Sequence, residues 1–354
     1  MTPPSRYRAR RPRGVTVSNA DGPAGVLATI GSTPLIELTA LDPASPFRTF
    51  AKLEAHNPGG SIKDRSALSM LLGRIRDGRL VPGESVVVES SSGNLGIGLA
   101  QVCGYYGIRF ICVVDPRTNA QNIAIMRAYG AEVEVITDTD PVTGEYLPVR
   151  LRRVRELVRR LPHAYCPDQY ANPLNPLAHR TTMHEILEAL PGGLDFLFCA
   201  TSSCGTLRGC AEYVRARRLP VTIVAVDATG SAIFAPPTGR RLIPGHGAAV
   251  RPTLHRDGLA DLVVHVDDLD CVRACRRLAT REAILAGGSS GAVVAALDGM
   301  RDRIPSGATC ALILADRGER YLDTIYDDDW VTEHFGDVSH LWKEDEPMTE
   351  VAAC

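Results

Sequence analysis

Lys63 follows the turn Asn57-Pro58-Gly59-Gly60-Ser61 in "KLEAHNPGGSIKDR" and stands at the expected start of a helix. A helix N-terminus disfavours a cation by a few tenths to about 1 kcal/mol. A lysine there is better explained as a neutral amine or an imine, which points to Schiff-base chemistry with a carbonyl partner. On local spacing alone a surface lysine beside Asp64 is the commoner reading, because lysines are mostly exposed. Three further loops outweigh it.

In "ESSSGNLGIGLA", Ser90, Ser91, Ser92, Gly93 and Asn94 follow the strand "SVVVE" and precede a helix. Free N–H groups at a helix start, together with hydroxyls, make an anion site, although a plain Ser-rich cap has the same look. "CATSSCGTLRGC" places Ser202, Ser203, Cys204, Gly205 and Thr206 at a second strand-to-helix turn that can cradle a phosphate, without the lysine of a nucleotide P-loop. "AGGSSGAVVAAL" offers Ser289 and Ser290 between glycines, where a hydroxyl could meet a ring nitrogen. Each loop alone reads equally well as an ordinary turn. Together they meet the needs of pyridoxal 5'-phosphate: an imine partner, a hydrogen bond to the ring oxygen, a phosphate cradle and a partner for the pyridine nitrogen.

The elements that must hold these loops alternate between β-rich and helical patterns. "FRTFAKLE" precedes the Lys63 helix, and "SVVVE", "RFICVV" and "EVEVI" are separated by helices from Leu95 and near Asn119. After a helix over 150–160 come "DFLFCA", "VTIVAV", "LVVHV" and "TCALILA". This is a doubly wound α/β pattern whose continuous apolar strands imply sheets covered on both faces. Ligands in such sheets sit beyond the carboxyl ends of the strands.

At 354 residues the chain has room for about two domains. A net charge of -2 gives no general reason to bind nucleic acid or an acidic membrane, and no run reaches the roughly 18 apolar residues of a membrane span. Ten cysteines lie mostly in apolar strand or helix patterns without CxxC pairs, which predicts reduced thiols, no metal and a cytoplasmic setting. Cys271 and Cys275, one helical turn apart, lack the partners of a zinc site. The expected organisation is a disordered basic tail at 1–20, a larger cofactor-binding domain at 21–53 and 165–330, a smaller α/β domain at 54–164 carrying the Lys63 and Asn94 loops, and a C-terminal tail at 331–354. No strand is followed by GxGxxG, which argues against a nucleotide-linked dehydrogenase.

From "IGSTPLIEL" at Ile30 to "DRGERYLDT" ending at Thr324 the chain resembles the fold-type II pyridoxal-phosphate enzymes of the cysteine synthase and cystathionine β-synthase family. Within it, "NPGGSIKDR", "SSGNLGI", "CVVDP", "DQYANPLN", "VDATGSAIF", "VVHVDD", "LAGGSSG" and "DRGERYLDTIYDDDW" most resemble the N-(2-amino-2-carboxyethyl)-L-glutamate synthases of 2,3-diaminopropionate biosynthesis. The resemblance implies a tryptophan synthase β-like fold of two α/β domains with a cleft between them, acting as a homodimer. It implies β-replacement on O-phospho-L-serine by L-glutamate, toward a siderophore or peptide antibiotic. Lys63 would form the imine, Asn94 would bind the ring oxygen, Ser202, Ser203, Cys204, Gly205 and Thr206 the phosphate, and Ser289 would face the ring nitrogen. Ser91, Ser92, Gly93 and Leu95, with Gln169, would take the substrate carboxylate, and Arg150 with Tyr170 its anionic groups. The arginines around Arg150 also fit a solvated helix face. Cysteine or cystathionine synthase chemistry with a thiol is the alternative within the family, with no regulatory domain expected after Trp330; a pyridoxal-phosphate-binding regulator without turnover is the alternative outside it. The family's Gly-Thr-Gly-Gly-Thr phosphate loop is replaced here by Ser202, Ser203 and Cys204 before Gly205, so a positive φ at Cys204 would be strained.

Overall fold

The computed structural model describes residues 23–236, 239 and 241–343; the basic segment expected as a tail at 1–20 lies outside them. In chain order come β1 (Leu35–Glu37), β2 (Arg48–Leu53), α1 (Lys63–Arg76), β3 (Val86–Ser90), α2 (Asn94–Tyr106), β4 (Arg109–Val114), α3 (Ala120–Ala128), β5 (Glu132–Val135), α4 (Tyr146–Arg160) and β6 (Ala164–Tyr165). Then follow α5 (Leu174–Ala189), β7 (Phe196–Ala200), α6 (Gly205–Ala216), β8 (Thr222–Ala228), β9 (Leu262–Val266), α7 (Asp268–Glu282), α8 (Gly288–Gly299), β10 (Thr309–Leu314), α9 (Asp328–Phe335) and α10 (His340–Lys343).

The chain forms two compact units, which divide the described residues as 23–30 with 63–174 and 31–62 with 175–343. The first holds a four-stranded sheet in the order β5-β4-β3-β6, parallel throughout. Strand side chains alternate between faces. Val86 and Val88 accordingly meet Val154 and Leu157 of α4, while Val87 enters the opposite core with Leu68, Leu71 and Leu99 of α1 and α2. Burial on both faces is why β3 reads as a continuous apolar run, and each such side chain is worth about 1.5–3 kcal/mol.

The second unit is built on a six-stranded sheet in the order β1-β2-β10-β7-β8-β9, in which only β1 pairs antiparallel. β10 sends Cys310, Leu312 and Leu314 to one core and Ala311 and Ile313 to the other. Beside it lies a buried polar network. Lys52 donates to the Thr33 carbonyl at 2.6 Å and pairs with Glu185 at 2.7 Å, and Glu54 accepts from Thr33 and Asn57.

The borders fall some ten residues from those expected, for local reasons. Residues 54–62 continue β2 and are clamped within the second unit, where Ser61 bridges Asp316 and Ile62 donates to the Ala315 carbonyl at 2.8 Å. Residues 165–174 stay with the first unit because β6 pairs with β3. Residues 23–30 join that unit through Leu27, which is fully buried in its core. The segment expected as a C-terminal tail at 331–354 instead carries the end of α9 and α10 as far as residue 343. Asp327 caps α9 by accepting from the N–H groups of Asp329 and Trp330, and Trp330, Phe335 and Trp342 pack on the second unit's core around buried Val331. The apolar residues among the acids, spaced for a helix face, account for this. Residues 344–354 of that expected tail lie outside the described ones.

Candidate active site

Lys63 is the first residue of α1. The turn before it has Gly60 at φ +83, where an added Cβ would stand 2.9 Å from Nη2 of Arg320. Arg320 donates to the Gly59 carbonyl and Arg317 to that of Ala55, so "DRGER" after β10 holds the turn that presents Lys63. In the first unit α1 and α2 pack closely at their starts. A Cβ on Gly98 would meet the Lys63 carbonyl at 3.2 Å and the Ala67 Cβ at 3.0 Å. This approach brings the Lys63 end of α1 level with the Asn94 end of α2.

Asn94 opens α2 behind Gly93, with no side-chain cap. The loop ahead of it is braced: Ser91 Oγ accepts from Gly96 N–H at 2.9 Å, the Ser91 carbonyl accepts from Cys112, and the Ser92 carbonyl accepts from Asn122 at 3.1 Å. Leu95 is a core residue at 2% exposure. Only its backbone is therefore available to a substrate. Gln169 and Tyr170 lie in a turn entered through Asp168 at φ 50, where Tyr170 N–H donates to Asp168 at 3.2 Å.

Arg150 lies in the second turn of α4, which begins at Tyr146 and not at Arg150. It is buried, with Nη1 donating to Asp115 at 2.7 Å, and its buried Nε has no acceptor among the described residues. The rest of the cluster behaves as a structural face: Arg152 pairs with Asp140, Arg153 with Glu134 and Glu156, and Arg155 donates to its own helix.

In the second unit the loop expected to cradle the phosphate, Ser202 to Thr206, follows β7. Cys204 adopts the left-handed conformation (φ 64, ψ 6) and gives α6 no side-chain cap. Such a reversal can set successive N–H groups toward an anion; Gly205 N–H donates to Ser203 Oγ at 3.4 Å, and the first turn of α6 offers its further N–H groups. Burial pushes the Cys204 thiol up to about 12, so it is neutral there. Asn175 donates to Ser203 Oγ at 3.2 Å, Thr206 Oγ1 lies 3.5 Å from His179 Nε2, and a Cβ on Gly205 would come 2.2 Å from Asn175 Oδ1. Asn175 and His179, one turn apart on α5, thus brace the loop, and "NPLNPLAH" carried no signal of this. At α8, Ser290 Oγ accepts from Ala315 N–H at 3.1 Å. The neighbouring Ser289 hydroxyl, on a residue only 7% exposed, bonds to no described residue. The helix-start donors of α6 and the uncommitted hydroxyl of Ser289, on a buried residue, fit the phosphate and ring nitrogen of pyridoxal phosphate.

The sheet topology and these loops define a fold-type II pyridoxal-phosphate enzyme, and the chain belongs to the pyridoxal-phosphate dependent enzyme family, which matches residues 26–316. It is 44% identical over 308 residues to the N-(2-amino-2-carboxyethyl)-L-glutamate synthase of Ralstonia nicotianae, covering 86% of this chain and 90% of that one. The Cupriavidus metallidurans protein of the same name is 44% identical over 310 residues, with the same coverage. Among solved structures, O-ureido-L-serine synthase superposes with a TM-score of 0.77 at 32% identity, over 87% of this chain and 98% of that one. The O-acetylserine dependent cystathionine beta-synthase of Helicobacter pylori gives 0.77 at 30% identity, over 85% and 98%.

Proposed function

We propose that the protein joins O-phospho-L-serine and L-glutamate by β-replacement, giving N-(2-amino-2-carboxyethyl)-L-glutamate and inorganic phosphate. The donor's Cβ–O bond breaks, a bond from Cβ to the glutamate nitrogen forms, and the amine gives up its proton. The 44% identity to two synthases of that name, across most of both chains, carries this reading.

When bound, pyridoxal phosphate supplies an electron sink for charge developing at the donor's Cα. Lys63 Nζ would hold the cofactor covalently and, once displaced by the donor's amine, would serve as the base for the Cα proton. Asn94 orients the cofactor by its ring oxygen, and the N–H groups of Ser202 to Thr206 bind its phosphate. Ser289 offers the ring nitrogen a neutral hydroxyl in place of an acid, which limits charge delocalisation and suits loss of the β substituent. Ser91, Ser92, Gly93, the Leu95 backbone and Gln169 take the donor's carboxylate. Arg150, whose Nε lacks an acceptor among the described residues, and Tyr170 take anionic groups of the substrates. The reading includes a homodimer working in the cytoplasm, with the product leading to 2,3-diaminopropionate for a siderophore or peptide antibiotic.

The test is incubation of the holoenzyme with O-phospho-L-serine and L-glutamate, with phosphate release and the coupled product followed by mass spectrometry. O-acetyl-L-serine with sulfide is the competing pair, and preference for it would replace this reading with a cysteine synthase. Lys63→Ala is expected to abolish both the visible imine absorption and turnover; retained turnover contradicts the mechanism.

A further inference from the structure

The ladder between β3 and β6 stops at Val87 and Tyr165. Pro167, two residues on, has no N–H with which to extend it. Where it stops, the Glu89 side chain takes over. One carboxylate oxygen accepts from Ser90 N–H at 2.9 Å and the other from Asp168 N–H at 2.8 Å. Ser90 opens the loop to Asn94, and Asp168 opens the turn carrying Gln169 and Tyr170. Within that turn the Asp168 carbonyl accepts from Ala171 and Asn172, and Asn172 Nδ2 donates to the Pro167 carbonyl at 2.7 Å. Glu89 thus joins the two segments, both within the first unit.

We propose that Glu89 is a positioning residue, tying the Ser90–Leu95 loop to the Gln169 turn so that both address one substrate carboxylate. The inference rests on the reading that Gln169 contacts the donor. The Asn94 end of the loop has its own braces at Ser91 and Ser92, so the effect of Glu89 falls chiefly on donor binding. Burial pushes the Glu89 carboxyl up to about 7, with Asp168 adding to the rise and the N–H groups of Ser90, Asp168 and Gln169 opposing it. The other titratable groups around it are Cys112, its register partner on β4, and Cys166 after β6. Cys112 also feels Arg150 of α4. Burial pushes the thiols of both cysteines far up, so they stay neutral through this range. Above about 7 the carboxylate accepts both N–H groups; below it the protonated oxygen offers a donor where an acceptor is needed.

The test is Glu89→Gln, which leaves an NH2 group facing one of the two N–H donors. Hydrogen bonds to charged groups imply a rise of about tenfold in KM for O-phospho-L-serine, with a smaller change in kcat and an unchanged cofactor spectrum. Wild-type kcat/KM for the donor should fall as pH drops through about 7, a limb absent from the variant. In a Gln169→Ala background Glu89→Gln should change KM less than twofold, and amides 168–172 should exchange about tenfold faster in Glu89→Gln, with or without cofactor. Unchanged KM and exchange overturn the inference, as do effects that multiply fully in the Gln169→Ala background. If the wild type itself fails to bind O-phospho-L-serine, the functional reading fails, while the exchange measurement still decides the tether. Should Glu89→Gln not fold, Glu89→Asp, shorter by one methylene, reads the same exchange and KM shift.

Discussion

Gly205→Ala isolates how the phosphate loop is built. The new methyl group would stand 2.2, 2.6 and 2.7 Å from the three carboxamide atoms of Asn175, a residue at 1% exposure. Contact at ordinary van der Waals distance requires Asn175 to retreat by about 1 Å, an overpacking cost of about 1–3 kcal/mol. The retreat also breaks the 3.2 Å bond from Asn175 to Ser203 Oγ, worth about 1 kcal/mol. Alanine's better helix propensity returns at most about 1 kcal/mol, because Gly205 has no left-handed φ to relieve. A net loss of about 1–3 kcal/mol is expected in chemical denaturation of the apoenzyme. The distorted nest should weaken pyridoxal phosphate by about tenfold or more in an absorbance titration. Removing the obstacle should restore room: in Gly205→Ala with Asn175→Ala, the methyl group costs less than in the wild-type background, a coupling of at least about 1 kcal/mol. A Gly205→Ala variant as stable and as tight-binding as wild type, or strictly additive losses in the double variant, would refute the packing argument.

Two further outcomes follow from backbone and charge. Cys204→Gly should lie within about 1 kcal/mol of wild type in denaturation, since relief of the left-handed conformation offsets lost packing against Ile233, Ala248 and Leu254, while β-branched Cys204→Val should cost about 2 kcal/mol or more. Asp115→Ala strands Arg150 as an uncompensated buried charge and should cost about 3–5 kcal/mol by the same measurement, part of which Arg150→Met in the same chain recovers.

Much of the architecture is legible along the chain because buried parallel strands announce themselves. "SVVVE", "RFICVV" and "TCALILA" became β3, β4 and β10, and the helices expected at Lys63, Leu95 and Asn119 begin within a residue of those positions. β1 and β6, with three and two residues, are too short to show any periodicity. The α4 helix begins a turn ahead of Arg150 although "GEYLPV" looks like a loop, because proline is tolerated in a first helical turn, where its missing N–H costs nothing. The domain borders moved for a related reason. Composition marks where strands and helices are, but not which sheet a connecting segment is hydrogen-bonded to.

Residue types and spacing single out Lys63, the Asn94 loop, the loop from Ser202 to Thr206 and Ser289 as candidates, because helix starts with glycine and hydroxyl residues advertise donors in local order. Local order also warned of strain at Cys204, which the backbone realises at φ 64. Only the tertiary structure decided which of the arginines is buried against an aspartate, that Leu95 is core, that Asn175 and His179 brace the phosphate loop from α5, and that Glu89 joins two loops almost 80 residues apart. Those facts depend on side chains meeting across strands and helices, and the identity of a distant neighbour is not encoded in the spacing of near ones.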